Sequence, residues 1–220
     1  MGRWSVRTAV LLGSPLLMAV SSEIHPHPPF NQPGMFELLR PRLSLWMGVH
    51  FVQLLLVFLL GLALWFLTEG LVSRAATLSR LATALFLVFY AAFDSVVGIG
   101  TGLLAQVVDA DPALDPSVAA GVVDGYWLAR FDLPIGPLIG VADLVWFGAV
   151  TAAALALRAR GASRPAVALL VVAGVFFAID HPSPTGTIGM LALFAANVLL
   201  LRDGLLPSGE RSGEASFGSP

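Results

Sequence analysis

Four histidines, His25, His27, His50 and His181, and two aspartates set deep in apolar runs, Asp94 and Asp143, are the residues of this chain best suited to chemistry. Two segments echo one another: Glu23-Ile24-His25-Pro26-His27-Pro28 and Asp180-His181-Pro182-Ser183-Pro184, each an acid placed just before a His-Pro-x-Pro. A residue preceding proline is held extended, so Glu23, His25 and His27 project to one side at a period of two. Imidazoles and a carboxylate converging in this way could hold a divalent metal, with His25, His27, Asp180 and His181 as the ligand candidates. The competing reading is that His-Pro and Pro-Pro end helices and stiffen loops. A haem between His50 and His181 would rest on two residues alone. No cofactor is expected, and a divalent metal is the one the side chains could hold.

The second constellation is intramembrane. A charge at a bilayer centre costs roughly 2.5–3.5 kcal/mol on insertion scales, so Asp94 and Asp143 each need a partner, water or a proton. Asp94, Gly98, Thr101 and Ala105 form one helical stripe, and Gly136, Gly140, Asp143 and Thr151 another. Gly98 with Gly102, and Gly136 with Gly140, have the spacing that lets two helix backbones approach closely. His50 and Gln53 share a face. Together His50, Gln53, Asp94 and Asp143 outline a polar pocket for a small ligand, an ion or a relayed proton. The alternative is a buried polar clasp that fixes helix register. At about 1.5 Å per residue Asp143 lies roughly 12 Å and Asp94 roughly 20 Å below the outer ends of their spans, and a break at Gly98–Gly102 would level them.

Many activities are excluded. No GxSxG elbow and no HExxH helix is present, and without lysine there can be no Walker A loop. Cysteine is absent, which removes thiolate chemistry and disulfides. Asp109, Asp111 and Asp115 do not make a calcium loop, because Leu114 and Ala120 stand where glycine and glutamate are needed. Val97–Gly102 lacks the strand and soluble helix of a phosphate loop and is read as a packing stretch. A net charge of -2 with no basic cluster argues against nucleic acid.

The elements that must position these residues follow from composition. With 57% hydrophobic and 12% charged residues and a mean hydropathy of +0.84, the chain is expected to be an all-α polytopic transmembrane helical bundle. About six spans with short loops are predicted, over residues 6–22, 45–67, 81–107, 135–159, 164–180 and 185–201. Residues 1–205 then form one membrane domain and 206–220 a disordered cytoplasmic tail rich in Ser and Gly. The first run, Thr8 to Val20, is short and contains Pro15, so it reads either as a span or as a signal peptide cleaved near Ala19-Val20-Ser21. The fifth and sixth runs are short enough for a tight hairpin.

Threading these spans with both termini in the cytoplasm places Arg3, Arg7, Arg74, Arg80, Arg158, Arg160, Arg164, Arg202 and Arg211 inside, and Arg40, Arg42 and Arg130 outside. The outer segment with Asp109, Asp111, Asp115, Asp124 and Asp132 reads as a solvated acidic loop. The exclusive use of arginine, with abundant Ala, Gly, Leu and Val, suggests a GC-rich bacterial genome and hence the bacterial inner membrane. A non-enzymatic membrane protein with an outward-facing pocket is the expected function. A metal-dependent hydrolase at the outer face, or a structural, partner-binding subunit, is the alternative. The lipid bilayer and a small ligand or ion are the expected partners. Reporter fusions after Arg74 and after Arg160 are predicted to read cytoplasmic and a fusion near Asp115 external; an external signal at Arg160 would overturn the threading.

Overall fold

The computed structural model describes residues 5–26, 34–128 and 136–206, without the side chains of 126–128 and 136–139. Every regular element among them is helical. In chain order these are α1 (Val6–Ile24), α2 (Met35–Leu39), a 3₁₀ turn (Arg40–Arg42), α3 (Leu43–Thr68), α4 (Arg74–Phe93), a π-helical turn (Asp94–Ile99), α5 (Gly100–Ala110), α6 (Pro116–Leu128), α7 (Gly136–Ala159), α8 (Arg164–Ile179) and α9 (Thr185–Arg202). Four stretches are long and apolar enough to cross a membrane: Met35–Thr68, Arg74–Ala110, Gly140–Ala159 and Thr185–Arg202. The apolar helix α8 is shorter, at 16 residues. Helix α1 carries Arg7, Pro15 and a Ser-Ser-Glu end, and falls outside that group.

Six helices close a ring. Helix α1 packs on α3, α3 on α4, α4 on α7, α7 on α8, α8 on α9, and α9 returns to α1. Most of the apolar core lies inside it, from Leu11 and Met18 through Leu60, Phe86, Trp146 and Leu170 to Leu193. Large side chains on the outward faces, among them Phe51, Leu55, Phe58, Leu81, Val88 and Leu155, are exposed. Such a belt is what a lipid-facing surface requires, since lipid tails offer apolar contacts and no hydrogen bonds.

A smaller second core caps one end. Met35, Phe36 and Leu39 of α2 pack with Ala105 and Val108 of α5, Ala119 and Val123 of α6, and Trp46 of α3. The expected acidic loop is helical over Pro116–Leu128, Asp109, Asp111 and Asp115 are exposed as expected, and each described aspartate there also has a structural partner. Asp124 accepts hydrogen bonds from the Gly34 and Met35 amides at 3.0 and 2.9 Å, closing the N-terminus of α2 where Gly34 takes a left-handed φ of 103°. Asp115 accepts from the Ser117 amide at 2.9 Å and starts α6 ahead of Pro116, and these bonds hold its carboxyl below the usual carboxylate range. Asp109 pairs with Arg40, and Asp111 accepts from the Ala113 amide at 2.9 Å.

The opposite end is tied by arginine. Arg7 forms an ion pair with Glu69 at 2.7 Å and donates to the Phe66 carbonyl at 2.7 Å, joining α1 to the end of α3. Arg80 donates to the Thr68 carbonyl at 2.8 Å, satisfying a terminal acceptor of the same helix. Between the two ends, Pro15 removes the amide that would have bonded to Leu11 four residues earlier. The buried Asn197 of α9 supplies the missing donor, its Nδ2 lying 2.7 Å from the Leu11 carbonyl. Asn197→Leu is therefore expected to lower stability by about 1–3 kcal/mol, the cost of a stranded carbonyl. In the Pro15→Ala background, where α1 regains its own amide, the same change should cost much less. Thermal melts of the four proteins in detergent would read the difference, and equal costs in both backgrounds would refute this account.

Candidate functional site

The cap end of the bundle brings three of the four histidines together. His50 lies on α3 and is 2% exposed. Its Nδ1 is 2.7 Å from Oδ1 of Asp94, which is fully buried at the start of the π turn. With Nδ1–H donating to the carboxylate, a neutral imidazole presents Nε2 as a lone pair. His25, just beyond the end of α1, packs edge-to-face on His50 with ring centroids 4.9 Å apart. His181, just beyond α8, packs edge-to-face on His25 at 5.2 Å. Both are buried.

The two echoing segments are neighbours in space. The Ser183 amide donates to the Ser22 carbonyl at 3.1 Å, and the Thr187 hydroxyl donates to the Glu23 carboxylate at 3.0 Å. Asp180 is half-buried, and its backbone carbonyl accepts from the Thr185 hydroxyl at 2.8 Å. A side chain on Gly186 would overlap the His181 backbone carbonyl, so the turn after His181 closes only with glycine there. Among the described residues no group of three or more His, Asp or Glu is arranged to hold a metal ion. His27, the remaining ligand candidate, lies outside the described residues.

The π turn is what fits Asp94 to His50. In it the Gly100 amide reaches back five residues to the Ser95 carbonyl. The wider turn sets the Asp94 carboxylate and the bare backbone of Gly98 against the same imidazole. Such turns inside α-helices concentrate at functional positions. The irregularity expected at Gly98–Gly102 thus falls at Asp94–Ile99. The indole of Trp46, one turn before His50, donates to the Gly98 carbonyl at 2.7 Å and lies with its ring 4.3 Å from the imidazole. Trp46, Gly98 and the π turn together fix the plane of the His50 ring.

The remaining pocket candidates spread around this pair. Gln53 is fully buried one turn along α3 from His50. Asp143 of α7 is half-buried. Tyr90, one turn before Asp94, lies with its ring 5.8 Å from that of His181. Trp46, Tyr90 and Phe93 were not singled out by the sequence reading, although Trp46 at i-4 from His50 and Tyr90 at i-4 from Asp94 carry the face-sharing signal.

Five side chains in this region keep buried polar atoms without a hydrogen-bond partner among the described residues: His50 Nε2, both Gln53 amide atoms, the Tyr90 hydroxyl, Asp94 Oδ2 and the Thr101 hydroxyl. Each such group costs about 1–3 kcal/mol when nothing satisfies it. Towards the arginine end the region is closed by aromatic packing: Phe86 on Tyr90 at 5.3 Å, Trp146 on Phe86 at 4.9 Å and Phe177 on Trp146 at 5.0 Å.

The chain matches no protein-family model, no curated protein and no solved structure.

A Cβ on Gly98 would overlap the His50 ring, whereas one on Gly48, in the same end of α3, would meet nothing within 4 Å. Gly98→Ala is expected to destabilise the bundle by about 1–3 kcal/mol through overpacking. Gly48→Ala should be neutral or stabilising by about 1 kcal/mol from helix propensity. Parallel melts check both, and an unperturbed Gly98→Ala protein would show that the imidazole plane is not fixed by this contact.

Proposed function

We propose that the chain is a multi-pass integral protein of a bacterial inner membrane, crossing it about six times with both termini in the cytoplasm. Its site at the cap end faces outwards and binds a small polar ligand or ion. The observation that carries the reading is the His50–Asp94 pair: an imidazole and a carboxylate 2.7 Å apart, almost fully buried, each with its second polar atom left over. A clasp that served only to hold helix register would use up its own hydrogen-bonding groups, because unsatisfied ones cost stability. The arrangement also favours the cap end as the outer face. Arg7, Arg74, Arg80, Arg158, Arg160, Arg164 and Arg202 belong to the opposite helix ends and their loops, as the positive-inside rule asks of the cytoplasmic side.

Binding fits the site better than hydrolysis. A metallohydrolase needs ligands that converge on one ion together with an open position for water; among the described residues no three His, Asp or Glu side chains are so arranged, and the two His-Pro segments meet through edge-to-face rings and a backbone hydrogen bond.

The lack of native cysteine makes the orientation directly testable. Single substitutions Ala113→Cys in the cap and Ser183→Cys beside His181 are expected to react with a membrane-impermeant maleimide on intact cells. Val72→Cys, fully exposed in the loop between α3 and α4, should react only after permeabilisation. Labelling of Val72→Cys but not Ala113→Cys on intact cells would refute an outward-facing site.

A further inference from the structure

We infer that the ligand of this site is a small monovalent cation bearing N–H donors, an ammonium ion or a primary alkylammonium. The inference rests on the reading of the cap-end site as a binding site and specifies its chemistry.

Charge points first to a cation. Asp94 is a fully buried carboxylate whose described partner is a single imidazole. The chain has no lysine. Arg7, Arg40 and Arg80 are committed elsewhere, to Glu69, to Asp109 and to the end of α3. A carboxyl group in a low-dielectric interior holds a proton or a positive partner, and a cation can take the proton's place, whereas an anionic ligand would add a second uncompensated charge.

Hydrogen-bond polarity then points to a donor. With Nδ1–H given to Asp94, acceptors predominate among the atoms left over: His50 Nε2, Asp94 Oδ2, the Gln53 carbonyl and the Tyr90 and Thr101 hydroxyl oxygens, against one donor group, the Gln53 amide nitrogen. His50 and Gln53 share a face of α3, and Tyr90 and Asp94 share a face of α4 as it enters the π turn. An ammonium group carries several N–H donors on one compact centre and matches such a set. The neighbouring rings are compatible with the same ligand: Trp46 packs on the His50 ring at 4.3 Å, Tyr90 and Phe93 lie on the turn that leads to Asp94, and aromatic rings attract cations. No lone feature bears the weight, since charge and hydrogen-bond sense are separate observations that agree.

The test uses the full chain in detergent or nanodiscs, titrated with methylammonium chloride against sodium chloride and tetramethylammonium chloride. Binding is read by calorimetry and by the fluorescence of Trp46, identified by its loss in Trp46→Phe. A saturable response to methylammonium alone is expected. Asp94→Asn should weaken it about tenfold or more, the scale of a charge-assisted hydrogen bond. Gln53→Leu, which keeps the charge, should weaken it several-fold, and a melt confirms that each variant is folded. The inference is overturned by the absence of a saturable methylammonium response in the wild-type chain, by an equal response to sodium, or by an equal response to tetramethylammonium, which has no N–H. A folded Asp94→Asn protein with unchanged affinity overturns it as well. Should these fail while Ala113→Cys and Ser183→Cys still label from outside, the outward-facing site stands and only its ligand class falls.

Discussion

The bond between His50 and Asp94 is the constraint around which the cap end is organised. A carboxylate with no exposed surface, in a bundle otherwise filled by Leu, Val, Ala and Phe, is tolerable only with a partner at hydrogen-bond distance. To bring that partner in, helix α4 opens into a π turn, Gly98 gives up its side chain, and Trp46 fixes the ring by bonding to the Gly98 carbonyl. Each departure from regular helical packing in this region serves one pair of side chains. That concentration of irregularity separates the cap end from the arginine end, where Arg7 and Arg80 complete the end of α3.

A second dependence runs through ring closure. His25 and His181 lie 156 positions apart in sequence, and they touch because α9 packs on α1 and returns the end of α8 to the end of α1. Asn197 helps to hold that closure by repairing the hydrogen bond that Pro15 deletes. The site at one end is thus supported by a polar contact in the middle of the bundle.

Much of the helical plan was legible because membrane helices announce themselves by apolar runs, and the helices over 43–68, 136–159, 164–179 and 185–202 begin and end within about two residues of those runs. The cap was not. Helix α2 is five residues long, and α6 mixes Val and Ala with Gly and Asp in a way that periodicity cannot separate from a loop. Its one local signal was Asp115 before Pro116, a cap followed by proline at the first helical position. Similarly, the echo of the two His-Pro segments was visible in the sequence, but their adjacency is a property of the closed ring. Gly98 was legible as a small residue and was assigned to helix–helix approach. What it accommodates is an imidazole, because the π turn rotates it towards His50, and no spacing rule anticipates a π turn.

The distribution of polarity within the bundle sets what the site can do. Tyr90 marks a boundary: its ring lies 5.8 Å from His181 on one side and 5.3 Å from Phe86 on the other, where Phe86, Trp146 and Phe177 are all essentially without exposed surface. A route across the membrane would need polar groups or water past those rings, since an ion in an apolar constriction loses its hydration with nothing in exchange. The ring stack closes the region towards the arginine end. At the cap end His25 packs on the His50 ring and His181 on His25, on segments whose contacts include a backbone hydrogen bond and a threonine–glutamate hydrogen bond. The aromatic floor of Phe86, Trp146 and Phe177, by contrast, is packed within the largest core of the bundle, so a change of packing there would disturb contacts that reach every helix of the ring, whereas the contacts of the two His-Pro segments lie at its end.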